Sequence, residues 1–225
     1  MARETDHERP IVDAALALAA RHGWRGITLQ AVAHEARLPL ATVAANYRSR
    51  AQILAAFTHR VDRAMLAGIA ADSLAEPTRE RLFDLIMRRL DTLAPHKEGV
   101  RAILRELPRD PLAALCAGGT LLRSMAATLE GAGISAAGIG GLVRTKALAA
   151  IYLDSLRVWL SDDSADKAHT MAHLDKQLKR AESLAARLCP GPNKHRARAP
   201  SPSQPSPTSK TSKPKRSPRR RRSGG

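Results

Sequence analysis

A chain of 225 residues can bury the core of one or two domains. Aromatic residues make up only 3% of it, and no alternating run of Val, Ile and Thr marks a strand, which argues against a sheet-based fold. Cys116 and Cys189 lie far apart with no CxxC partner, so neither a disulfide framework nor a thiolate zinc site is suggested, and most of the net charge of +16 sits beyond Cys189, where eleven Lys or Arg face no Asp or Glu.

The first helix is predicted over Pro10 to His22, with proline in the permissive first turn. Ile11, Ala15, Leu18 and Ala19 form its apolar stripe, and Gly23 stops it. Thr28 is a plausible cap for a short second helix that turns Leu29, Val32 and Ala33 inward. A break at Arg37 to Pro39 precedes a third, "LATVAANY". Ser49 with Gln52 three residues on forms a capping-box pattern, which opens a fourth helix expected to reach about Ala71. Further helices are predicted near Thr78 to Leu93, Lys97 to Leu107, Pro111 to Glu130, Ile139 to Leu160 and Ser164 to Leu188, with prolines and glycines at the joints. In the last joint, Asp163 or Ser164 is the expected cap.

Residues 189–225 are rich in Pro, Ser and basic side chains and nearly free of large apolar ones, so they are expected to be disordered. The "SPRRRRS" end could hold phosphates without reading sequence, or simply be a solvated tail. The N-terminal segment is charged, without the apolar core of a signal peptide, and no 18-residue apolar run for a membrane span is evident. A cytoplasmic location is the expectation.

Three short helices followed by a long one make a helix-turn-helix arrangement, the third helix being placed to enter a major groove. Over about 45 residues, "IVDAALALAARHGWRGITLQAVAHEARLPLATVAANYRSRAQIL" resembles the N-terminal domain of the tetracycline-repressor (TetR/AcrR) family. The matching positions are Gly23, Thr28, Ala33, Ala36, Thr42, Tyr47, Ser49 and Arg50. The resemblance implies an all-α, TetR-like fold: a helix-turn-helix DNA-binding domain over 1–60, a helical ligand-binding and dimerisation domain over 61–188, and the tail. It gives Thr28, Thr42, Tyr47 and Arg50 phosphate-facing or groove-facing roles.

The departures bear on readout. Arg37 stands where the family usually has glycine in the turn, Ala44 where it usually has tyrosine, and Pro39 and Leu40 replace polar residues at the start of the recognition helix. Among "PLATVAAN", Thr42 and Asn46 are the side chains able to pair with base edges. On the DNA-binding reading they read bases, Leu40 and Ala41 touch thymine methyls, and Arg37, Arg48 and Arg50 hold phosphates. On the alternative, the motif is a scaffold that has lost readout.

In the second half, Leu82, Leu85, Ile86, Leu90 and Leu93 fall on one helical side, as do Leu122, Met125, Ala126 and Leu129, and then Leu148, Ile151, Tyr152, Leu156 and Trp159. Such stripes are ordinarily core. Abundant alanine and methionine with little aromatic filler also suits a cavity for an apolar small molecule, with Leu90, Leu122, Met125, Leu129, Leu148, Tyr152, Leu156 and Trp159 as its expected lining. Within this half, "RTKALAAIYLDSLRVWLSDDSADKAHTMAHLD", Arg144 to Asp175, is similar to the C-terminal part of the coenzyme Q accessory lipid-binding family, whose members also have a TetR-like fold. That resemblance implies lipid binding and a partner enzyme in quinone biosynthesis, without a role for DNA.

No catalytic constellation is evident. "GAGISA", Gly131 to Ala136, follows a helix rather than a strand and reads as a joining loop. His169 and His173 have metal-capable spacing but no third ligand, and both are expected to be solvated. No cofactor is indicated, and the chain is expected to be no enzyme. It is read as a regulator, repressing through double-stranded DNA as a homodimer and responding to an apolar small molecule or lipid; the alternative is a lipid-binding accessory protein with a vestigial motif.

Overall fold

Side chains cap three of the helices, Thr28, Ser49 and Asp110 each accepting from an amide of the first turn. The computed structural model describes residues 7–69 and 76–188, and among these every regular element is helical. The disorder expected of the tail falls outside the described residues. Contacts group Met1–Cys189 as one unit.

Helix α1 (Glu8–His22) starts two residues before the expected proline. Pro10 still lies in the first turn, where an amide would lack an acceptor. Gly23, at φ 81°, ends the helix, its N–H reaching the Ala19 carbonyl at 3.0 Å. Helix α2 (Leu29–Glu35) is capped by Thr28, whose Oγ1 accepts from the Ala31 N–H at 3.1 Å. Then come α3 (Leu40–Asn46) and α4 (Arg50–Ala67). Ser49 caps α4 as expected, but Gln52 Oε1 accepts from the Arg48 N–H at 2.6 Å rather than closing on Ser49 itself. Helix α4 stops at Gly68, short of Ala71.

The second half follows the predicted order as α5 (Thr78–Leu93), α6 (Lys97–Glu106), α7 (Pro111–Gly131), α8 (Gly138–Ser161) and α9 (Ala168–Leu188), with 3-10 turns at Ala94–His96 and Leu107–Arg109. Asp110 caps α7, its Oδ1 accepting from the Ala113 N–H at 3.1 Å. "GAGISA" does join two helices.

The turn into α9 departs from expectation. Neither Asp163 nor Ser164 caps the helix, which starts at Ala168 instead. Asp162 organises the turn. Its Oδ1 accepts from the Ser164 N–H and hydroxyl, and its Oδ2 from the Thr170 N–H and hydroxyl at 2.9 and 2.7 Å. The Ser164 and then the Thr170 hydroxyl hold its carboxyl well below the usual carboxylate range. His173 is not simply solvated either: its Nε2 lies 2.8 Å from Asp154 Oδ2, which also accepts from Gln177. Among the described residues no cluster of three His, Cys, Asp or Glu could hold a metal.

One core runs from Ile11 and Val12 through Val61, Ile86, Leu90 and Met125 to Leu156 and Leu178. Helix α1 lies along α6, α4 against α5 and α7, and α8 against α9. The α1–α6 approach is close because Gly99 has no side chain: a Cβ there would sit 2.7 Å from the Leu16 carbonyl oxygen. Helix α7 corrects one expectation. At 21 residues, with an 18-residue stretch of mean hydropathy 1.4, it is long and apolar enough to cross a membrane by length and composition, because Ala and Leu outweigh its few charges.

Two outcomes follow for stability. Gly99→Ala should destabilise the fold by about 1 to 3 kcal/mol in urea unfolding, since the new methyl meets backbone that cannot rotate away. The Asp162 pKa is lowered by folding, so its contribution is present above the unfolded value of about 3.9 and lost as pH falls below it. Asp162→Asn should therefore be less stable than wild type at pH 7 and lose less stability on acidification, as read by denaturation at pH 7 and pH 3.

Candidate DNA-binding surface and ligand cavity

Between α2 and α3, Arg37 takes a left-handed conformation at φ 56°. Its N–H reaches the His34 carbonyl and that of Leu38 the Ala33 carbonyl, at 3.1 and 3.0 Å, which closes the turn. Pro39 then opens α3, with Val43 as the buried anchor. This leaves Leu40, 47% exposed, and Ala41 and Ala44 on the outer face, with Thr42 and Asn46 half-buried beside them. Thr28, Arg37 and Arg48 are also exposed.

Three expected contact residues are engaged inside the protein. Asn46 Nδ2 donates to the Thr42 carbonyl at 2.8 Å, so a bidentate pair with adenine would require that bond to open. Tyr47 is only 9% exposed; burial first, and Glu8 next, push its phenol pKa up. It fastens the end of α3 to the core rather than presenting a free hydroxyl. Arg50 donates to the Arg25 carbonyl and, at 3.0 Å, to Asp110 Oδ2, so its guanidinium joins the loop after α1 and the start of α4 to the cap of α7.

Helices α4 and α7 are cross-linked at both ends. Arg50 and Asp110 form the first link. In the second, buried Asp62 accepts from Arg89 Nη1 at 2.5 Å and from Ser124 Oγ at 2.6 Å. Arg89 is 2% exposed and stacks 5.1 Å over the Tyr152 ring. Burial works against its charge, but Tyr152 and Asp62 outweigh it and raise the pKa, so the guanidinium stays ionised.

Between these links the facing residues include small ones, Ala51 and Ala55 on α4, Ala113, Ala114, Ala117 and Gly118 on α7, beside the larger Leu54, Phe57 and Val61 of α4 and Leu121 of α7. They leave a cavity of about 280 Å³, which Tyr152 and Leu156 of α8 also line. The other six expected lining residues do not reach it. Leu90, Met125, Leu129, Leu148 and Trp159 are buried in the core, and Leu122 packs against that core, because the most strongly periodic large side chains fill space rather than bound it. The signal that could have found the cavity is the charge-free, small-residue run "PLAALCAGG" of Pro111 to Gly119.

Solved structures share the fold. A TetR transcriptional regulator from Nitrosomonas europaea ATCC 19718 superposes with a TM-score of 0.63 at 26% identity, covering 78% of this chain and 98% of its own. The fold is that of the TetR-type regulators. A TetR regulator from Rhodococcus sp. RHA1 gives a TM-score of 0.55 at 17% identity over 79% of this chain and 96% of its own. One of the TetR family from Mesorhizobium loti MAFF303099 gives 0.54 at 18% over 82% and 98%. The COQ9 family model matches residues 144–185, most of α8 and α9. No curated protein matches the sequence.

Arg37 occupies a backbone conformation that costs a side chain about 1 kcal/mol and a glycine almost nothing. Arg37→Gly should raise stability by up to about 1 kcal/mol in chemical denaturation, part of the gain being offset by the freer unfolded chain. An unchanged or lower midpoint would show that the Arg37 side chain compensates for its backbone.

Proposed function

We propose that this chain is a cytoplasmic, DNA-binding transcriptional regulator of the TetR type, acting as a repressor, whose grip on DNA responds to an apolar molecule in the cavity between α4 and α7. The observation that carries the reading is the position of Arg50. It lines the cavity, begins the helix that follows α3, and is bonded to both Asp110 and the loop after α1. A ligand pressing on Ala113 and Ala114 would move the cap of α7 and loosen those bonds. The start of α4 would shift, and α3 with it, so ligand and DNA favour different members of one population.

In this reading residues 1–60 serve as the DNA-binding domain and 61–188 as the sensing and pairing domain. Thr42 and Asn46 meet base edges, Leu40 and Ala41 lie against thymine methyls, and Thr28, Arg37 and Arg48 meet phosphates. Arg50 and Tyr47 hold α3 in place instead of touching DNA. The partner for dimerisation is a second copy, through the exposed apolar residues Ile139, Leu142 and Val143 of α8 with Met171 and Leu184 of α9.

A second reading is favoured by the COQ9 match over residues 144–185, which include the cavity residues Tyr152, Leu153 and Leu156. There the chain is a lipid-binding accessory protein of quinone biosynthesis and the helix-turn-helix is a scaffold. Selection from random duplex DNA separates the two, with heparin added to absorb the sequence-blind attraction of the tail. Enrichment of a palindromic motif is expected, and Thr42→Ala or Asn46→Ala should weaken binding to it by about 1 to 3 kcal/mol. Folded protein that enriches no motif would turn the assignment to the second reading.

A further inference from the structure

We propose that the cavity takes a single-chain amphiphile with a carboxylate head, and that this head replaces Asp110 on the Arg50 guanidinium at the cavity rim. The inference rests on the ligand-sensing reading above and names its ligand class. Among the described residues the charged lining of the cavity is Arg50 and Arg89, and the two differ in reach. The Arg89 side chain is 3% exposed and committed to Asp62, whereas those of Arg50 and Asp110 are 28% and 27% exposed. The cavity lining brackets this second pair. Arg50 donates to the Arg25 carbonyl, next to Trp24, and to Asp110, whose other oxygen holds the Ala113 amide; Trp24 and Ala113 both line the cavity.

The ion pair can exchange its anion more easily than its cation. Arg50 lines the cavity and Asp110 does not, so a ligand inside meets the guanidinium. The Ala113 amide first, then Arg50 and Arg25, hold the Asp110 carboxyl below the usual carboxylate range. If Arg50 leaves, Asp110 keeps that amide and the neighbouring Arg25 charge. An ammonium head would instead take Asp110 and strand Arg50, whose other acceptor is the neutral Arg25 carbonyl. Glu106, the other carboxylate nearby, is engaged with the Arg25 N–H at 2.8 Å. A ligand carboxylate on Arg50 therefore leaves each charge with a partner.

Volume and lining select the tail. About 280 Å³ is at the small end of ligand cavities, which suits one chain rather than two. Leu54, Phe57, Leu104, Leu121 and Leu156 give that chain an apolar wall. From Arg50 to Val61 the lining follows α4 for about 16 Å at 1.5 Å per residue, so a tail that starts at Arg50 has a length of helix to lie along.

The test compares decanoate with 1-decanol on the full-length protein by calorimetry at pH 7. They share a tail length, so the ratio of their affinities isolates the head. Decanoate should bind about fivefold more tightly, the worth of one partly exposed ion pair. Arg50→Gln should bring the ratio to one or below. Asp110→Asn, which keeps a good capping side chain but gives up the competing charge, should widen it by about another fivefold. A wild-type ratio of one or less would overturn the proposal, as would a ratio that survives Arg50→Gln, one that Asp110→Asn leaves unchanged or narrows, or tighter binding of decylamine than of decanoate. If one variant fails to fold, the wild-type ratio and the other variant decide. Binding of none of the three compounds would overturn the sensing cavity itself, an outcome distinct from equal binding of decanoate and 1-decanol.

Discussion

The buried charge cluster of Asp62, Arg89 and Ser124 fixes the second half of the molecule. Two ionised groups have been taken out of water, and each is tolerated only because the other is within hydrogen-bond reach. Asp62 comes from α4, Arg89 from α5 and Ser124 from α7, while the Tyr152 ring of α8 covers the guanidinium. Sliding α4 or α5 by a turn would strand a charge in the core, and sliding α7 or α8 would remove a hydrogen bond or the ring that covers the guanidinium. Apolar packing is tolerant of such slips; this cluster is not, and it specifies which register the surrounding leucines adopt.

With that register set, the cavity follows. The Arg50–Asp110 pair lies about twelve residues up α4 from the cluster, and the alanines and glycine between the two links meet across a space they are too small to fill. Polar contacts stand at its two ends, and larger side chains such as Trp24, Phe57 and Leu104 complete its walls. Removal of either link would be felt first as a change in the shape of that space.

What the sequence made legible was local. Thr28 and Ser49 announce their helices because a cap is satisfied within four residues. The stripe of α5 announced a buried face for the same kind of reason. What stayed hidden depends on partners far apart in the chain: Asp62 with Arg89 and Ser124, Arg50 with Asp110. Leu90, Met125 and Trp159 looked like cavity walls because periodicity marks burial, and burial alone does not separate them from Tyr152 and Leu156, which are as buried and do line the cavity. The turn before α9 misled differently. Three acceptors, Asp162, Asp163 and Ser164, stand in a row, and the fold chose the one whose two oxygens could serve both Ser164 and Thr170.

Helix α1 comes first in the chain but is mechanically part of the bundle. Gly99 lets α6 press against the Leu16 carbonyl, and Glu106 at the end of α6 accepts from the Arg25 N–H at 2.8 Å. A disturbance arriving along α4 therefore acts against a fixed post, against which α2 packs through Val32 and Ala33 and to which Val43 and Tyr47 join α3 through the same core. On the proposed function, in which two copies pair on DNA, a small tilt of α4 would be multiplied into a larger change of span between the two copies of α3, the dimension to which a double helix with a fixed repeat is most sensitive.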